Sequence, residues 1–134
     1  MVKFCGGCLG KAVRYEVTAD PLNQRVCHCK ECQKAIGAAF NARLLMRIED
    51  VSITGPVSTF YSSADLERGS CSRCGSSIFS RRTSAGVIGL TAGSLDDSSL
   101  FNPDMHFWVS SKQSWLEIGD DLPQYLEGPP SKGY

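Results

Sequence analysis

The sequence lacks any apolar run near the roughly 18 residues that a membrane-spanning helix needs, so no membrane partner is expected. It does not begin with a charged stretch followed by an apolar one. No secretory signal is therefore expected, and the predicted location is the cytoplasm. Charge of one sign is also missing, because 14 Lys and Arg balance 14 Asp and Glu. A balanced chain has no electrostatic footprint for nucleic acid, and none is expected as a partner. Internal repeats, linkers and low-complexity blocks are absent. Helical periodicity is scarce, which argues against the alternating strand and helix order of a thioredoxin-like fold. The 134 residues, 42% of them hydrophobic, suffice for one modest core.

Strand patterns are plentiful. In "KAVRYEV", Val13, Tyr15 and Val17 alternate with Ala12, Arg14 and Glu16, as in a half-buried strand. "AAFNARLLM" alternates Phe40, Ala42, Leu44 and Met46 against Asn41, Arg43 and Leu45. "VSITG", "STFYSS", "SSIFSRR", "GVIGLTAG" and "MHFWVSS" are further short strands, separated by Gly, Pro, Asp and Ser. Gly55-Pro56 and Asn102-Pro103 are read as turns. One short helix is predicted from about Glu31 to Ile36, ended by Gly37, with single turns at "MRIED" and "SSLF". The expected class is mostly β. One domain is predicted over residues 1–126, followed by a flexible tail at 127–134, "EGPPSKGY".

Cysteine is the residue in excess: Cys5, Cys8, Cys27, Cys29, Cys32, Cys71 and Cys74. An odd number in a chain without an export signal argues against a disulfide framework and for metal or redox chemistry. "CGGC" and "CSRCG" are each a zinc half-site, in which a tight turn places two thiolates on one edge of a tetrahedron. Together Cys5, Cys8, Cys71 and Cys74 make one closed structural site. Buried unliganded thiols and a redox pair are the alternatives. "CHCKEC" offers Cys27, Cys29 and Cys32 and leaves no cysteine over. Three ligands and an open position are the pattern of a catalytic zinc. The alternative is a second structural zinc completed by His106 or Asp104. His28, between two ligands, is expected to point away from the metal.

In chain order, "GGCLGKAVRY", "CHCKECQKAIGAAF", "ERGSCSRCGSSIF", "LTAGSLDD" and "HFWVSSKQSWLEIGDDLPQY" resemble the glutathione-dependent formaldehyde-activating (Gfa), or CENP-V-like, family. The likeness runs from about Gly6 to about Tyr125. It implies a β-tent of twisted antiparallel sheets with short helical turns, stapled by zinc. It implies two zinc ions, a structural one on Cys8, Cys71 and Cys74 and a catalytic-type one on Cys27, Cys29 and Cys32. The family pattern "GGCxCG" reads "GGCLGK" here, with Gly10 where a second cysteine is expected, and Cys5 is the predicted replacement.

The implied activity is that of a carbon–sulfur lyase acting on a thiol such as glutathione and an aldehyde such as formaldehyde. Lys30, Lys34, Arg43, Arg81 and Arg82 are candidates for substrate carboxylates, and Phe40, Phe107 and Trp108 for the pocket wall. His106 is a candidate acid or base. The alternative is a non-enzymatic zinc module that binds proteins, as the β-tent fold and the CENP-V branch suggest.

Overall fold

Residues 1–129 are described by the computed structural model. Residues 130–134, most of the expected tail, lie outside them. Glu127 is held in place: its carbonyl accepts from the Trp108 amide at 2.7 Å and its carboxylate from the Ser110 hydroxyl at 2.9 Å. Among the described residues no helix is long and apolar enough to cross a membrane.

The chain is mostly β. A three-stranded antiparallel sheet has the order β1 (Phe4–Gly7), β2 (Arg14–Val17), β5 (Val51–Thr54). A seven-stranded sheet has the order β10 (Met105–Phe107), β3 (Asn23–Cys27), β4 (Asn41–Arg47), β9 (Val87–Thr91), β8 (Ser77–Arg82), β7 (Glu67–Cys71), β6 (Val57–Tyr61). Its pairs are antiparallel except at the edge, where β10 runs parallel to β3. That edge departs from the all-antiparallel expectation. A parallel neighbour needs a long crossover, and more than half of the chain lies between β3 and β10. Strands β3 and β7 had no clear signal in the sequence, because "NQRVC" and "ERGSC" do not alternate.

The core lies between the two sheets. From β2 come Tyr15 and Val17, preceded by Val13, all at most 1% exposed, while Glu16 faces solvent. The seven-stranded sheet contributes Leu44, Met46, Phe79, Ile88 and Leu90. The register explains which side of that sheet is which. Leu44, Leu90, Phe79 and Gly69 form one cross-strand row on the core face. Asn23, Leu45, Gly89, Ser80 and Arg68 form a row on the other face. Leu45 was expected on a polar face and is instead 3% exposed, because that face is the floor of a pocket.

Among the described residues the one α-helix, α1 (Lys30–Ile36), starts where the sequence indicates. Cys29 is its N-cap, and its sulfur accepts from the Cys32 amide. Gly37 ends it with φ 71°, a conformation glycine adopts without steric cost. Single 3-10 turns occupy Ile48–Asp50 and Ser98–Leu100, as expected. Gly55 turns the chain between β5 and β6, whereas Asn102-Pro103 lies in an irregular connection rather than a turn.

Candidate metal centres

Two groups of three cysteines have their sulfurs within 4.8 Å of one another: Cys8, Cys71 and Cys74, and Cys27, Cys29 and Cys32. All seven cysteines are free thiols. The first group joins the end of β1 to the turn after β7. Amides surround its sulfurs: Val13 donates to Cys8 at 3.2 Å, and Arg73 and Cys74 donate to Cys71 at 3.4 and 3.5 Å. The Ser76 hydroxyl lies 3.2 Å from the Cys74 sulfur, and with the Gly10 amide it holds that thiol down at about 6. Donors aimed at sulfur stabilise thiolates, so this donor set fits a soft cation such as zinc.

Cys5 is not brought into this group. It sits on β1 opposite Glu16 of β2, and beside it lie Arg14, Ser52 and Thr54. Its neighbours Phe4 and Gly6 pair with the core residues Val17 and Tyr15. The period of two therefore turns Cys5 to the outer face of the small sheet, away from Cys8. The "CGGC" spacing suggested a shared metal edge, but a strand rather than a knuckle occupies Phe4–Gly7.

The second group sits at the end of β3 and the start of α1. Cys27 is buried and Cys29 and Cys32 are half-buried. The thiols share their protons unequally. Hydrogen bonds from Cys29 and Cys32 push Cys27 up. Those from Cys27 and Cys29, helped by Arg68, push Cys32 down. Cys29 is pushed up as well, so Cys32, with the Arg68 guanidinium beside it, is the thiol biased toward thiolate, and three clustered sulfurs of this kind fit a soft cation with an accessible position. No further His, Cys, Asp or Glu joins either trio among the described residues.

The residues considered as a fourth ligand are engaged elsewhere. Asp104 faces Arg25 at 3.8 Å and accepts from the Gln24 amide at 3.3 Å. His106 lies between His28 and Asp120, with ring contacts of 2.9 and 2.8 Å. His28 indeed points away from the sulfurs. It is fully buried, and burial with the nearby charges of His106 and Lys112 pushes it down to about 4. Its backbone is tied as well: its amide donates to Phe107, and its carbonyl accepts from the Gln33 side chain at 2.7 Å. Gln33 also donates to the Ser111 carbonyl and accepts from Gln113. These contacts fix the CHC segment against the C-terminal loops.

The Cys27, Cys29 and Cys32 group opens into a cavity of about 200 Å³, which Arg43, Arg68, Arg82, Glu31 and Phe107 also line. Gly89 sits between two residues of the lining, with the Arg43 chain and the Ser80 hydroxyl each 3.2 Å from where a Cβ would stand. Arg43 lies over the Phe107 ring at 5.8 Å. Arg82 pairs with Asp65 at 2.8 Å and Arg68 donates to the Ser62 hydroxyl at 3.0 Å.

Of the predicted cations, Arg43 and Arg82 line this cavity. Arg81 does not: it faces the other side of β8, paired with Glu67 at 2.7 Å and stacked over Phe79. Lys34 lines a neighbouring groove of about 510 Å³, which shares Glu31 and Arg68 with the cavity. Lys30 lines a separate depression with Gln33 and Gln113. Of the aromatics, Phe107 is a wall, Phe40 packs against the His28 ring at 5.5 Å, and Trp108 does not line the cavity. Arg68, Gln33, Gln113 and Asp120 escaped the sequence reading. Arg68 reaches its place through strand register and Gln113 and Asp120 through a long loop, while Gln33 lies on α1 and shows its role only through its contacts with the His28 and Ser111 carbonyls.

A mostly β chain with two such thiol trios, one of them beside a cavity lined by arginines, defines a class of β domains with thiol clusters that could hold metal. The family model of the glutathione-dependent formaldehyde-activating enzyme matches residues 3–111, and the chain belongs to that family. Among solved structures it is similar to a crystal structure of a Rhodobacter sphaeroides protein. The two are 22% identical, with a TM-score of 0.57 over 69% of this chain and 87% of the other. That likeness concerns the fold alone. A comparison with curated proteins finds no match.

Proposed function

We propose that this protein is a zinc-dependent carbon–sulfur lyase-type enzyme acting on the adduct of a glutathione-like thiol and an aldehyde. One observation carries the reading: three clustered thiols, without a fourth protein ligand among the described residues, open into a cavity lined by three arginines. Cys27, Cys29 and Cys32 would hold the catalytic-type zinc, and Cys8, Cys71 and Cys74 a structural one. Bound zinc supplies Lewis acidity and keeps a thiol as thiolate near neutral pH.

The chain's own residues do the rest. Arg68, Arg43 and Arg82 attract and orient the carboxylates of a peptide thiol. The 200 Å³ cavity suits the reacting sulfur and a one-carbon aldehyde, and the 510 Å³ groove beyond Glu31 and Arg68 suits the remainder of the peptide. Phe107 and Leu45 exclude water from one side. In the forward direction the thiol sulfur bonds to the carbonyl carbon, and the thiol proton passes to the carbonyl oxygen. The reverse breaks that carbon–sulfur bond and returns the proton. Seven cysteines without a disulfide among them suit a reducing compartment such as the cytoplasm.

The test combines metal content with turnover. Zinc per chain is expected to fall by one ion in Cys29→Ser while the protein stays folded. Wild type should turn over at least one pair from a panel of thiols and aldehydes, and Cys29→Ser none. Equal behaviour of the two proteins on every pair would favour a non-enzymatic zinc module that binds other proteins.

A further inference from the structure

The Cys8, Cys71 and Cys74 group has three protein ligands where a closed zinc site has four. Thiolates about 2.3 Å from a tetrahedral ion lie about 3.8 Å apart, so a fourth sulfur has to come close to the other three. The chain passes the right place at Gly10. A Cβ there would stand 3.4 Å from the Cys74 Cβ and 3.6 Å from its sulfur, with no other atom within 4 Å. The Gly10 backbone is not left-handed, so the position accepts a side chain without strain.

Among the described residues no neighbour takes this role. Cys5 faces the outer side of the small sheet beside Glu16. The Ser76 hydroxyl is engaged by the Leu9 amide at 3.0 Å and by the Cys74 sulfur. Cys74 itself is exposed. From this geometry we infer that the Cys8, Cys71 and Cys74 group is an open three-thiolate metal site, which takes its fourth ligand from solution on the side of Gly10. The ion there exchanges more readily than one in a closed four-thiolate site. The inference rests on the metal reading of this group and does not depend on what the other trio does.

The experiment follows release of zinc from the full-length protein to a coloured chelator, under reducing conditions, and counts ions per chain. Gly10→Cys should slow the release of one ion by roughly tenfold or more, since it completes the tetrahedron. Gly10→Ala should not. Cys5→Ser should leave release unchanged. With cobalt in place of zinc, Gly10→Cys should strengthen the sulfur-to-metal charge-transfer absorption.

Release from Gly10→Cys as fast as from wild type would overturn the inference, and so would faster release from Cys5→Ser. The second variant decides the matter by itself should Gly10→Cys fail to fold. The total number of ions reports separately on the Cys27, Cys29 and Cys32 group, so failure of the enzymatic reading and failure of this one give different results.

Discussion

The His28 Nε2 lies 2.9 Å from the His106 Nδ1, and His106 passes the contact on to Asp120. Asp120 is an acceptor: bonds from His106 and the Leu122 amide hold its carboxyl below the usual range. With His106 in its neutral form, it donates from Nε2 and accepts at Nδ1, which makes His28 the donor at Nε2. One half-exposed carboxylate thus fixes the tautomers of two buried rings. His106→Ala leaves the buried His28 donor without a partner, and should cost about 1 to 3 kcal/mol in denaturant unfolding. Asp120→Asn, nearer the surface, should cost less. A His106→Ala protein as stable as wild type would mean that His28 finds another acceptor.

Tyr15 gives an alkaline signature. Its ring is 1% exposed and its hydroxyl bonds Ser94 at 2.8 Å. Burial pushes its phenol from 10.0 up to about 12. The unfolded chain therefore loses this proton near pH 10 and the folded chain near pH 12. Between those values the folded state holds more protons, so stability falls as pH rises. A shift of two units amounts to roughly 3 kcal/mol, fully present below pH 10 and lost by about pH 12. Urea midpoints measured across that range should show the fall in wild type and a shallower one in Tyr15→Phe. Parallel curves would show that other groups drive it.

Gly6 faces the same Tyr15 across the small sheet. A Cβ at Gly6 would overlap the Tyr15 hydroxyl and the Ser94 carbonyl. Moving the tyrosine would not relieve the clash, because the Ser94 carbonyl is backbone and the ring is sealed in the core. Gly6→Ala should destabilise by about 2 kcal/mol or more, within the usual range for overpacking. Thermal unfolding reads this directly, and a change below about 0.5 kcal/mol would contradict the tight approach.

Much of the site was legible because ligand spacing is a local property. "CHCKEC" and "CSRCG" placed their sulfurs together without help from the rest of the fold. The same logic failed at Cys5, where strand pairing with β2 overrode the CxxC spacing. Alternation identified Val13, Tyr15 and Val17 as core. It also separated the two sides of β4, although the side opposite the core is a buried pocket floor rather than a solvated surface. The arginines show the limit most clearly. Arg68 enters the cavity through the row that joins Leu45, Gly89, Ser80 and Arg68 across four strands. No single stretch of sequence contains that register, and "ERGSC" carries no strand pattern of its own.

Arg81 and Arg82 turn that limit into an experiment, since adjacent strand residues point to opposite faces. Arg81 binds Glu67 through two nitrogens, at 2.9 and 2.7 Å, in a half-buried setting away from the cavity. Arg81→Ala should therefore cost stability, about 1 to 2 kcal/mol, and leave substrate binding alone. Arg68 stands beside Cys32 and lines both the cavity and the adjoining groove. If the proposed carboxylate-bearing thiol binds there, Arg68→Ala should lower kcat/KM by roughly tenfold or more, mainly through KM, with zinc content unchanged. Arg68→Lys should recover only part of this, since an ammonium cannot reproduce the two-pronged guanidinium contact. Arg82→Ala should act in the same direction as Arg68→Ala, tempered by its existing pairing with Asp65. Steady-state kinetics and unfolding on the three alanine variants separate the roles. A loss of turnover in Arg81→Ala as large as in Arg68→Ala would mean that the charge of the whole sheet, rather than the face toward Cys27, Cys29 and Cys32, governs binding.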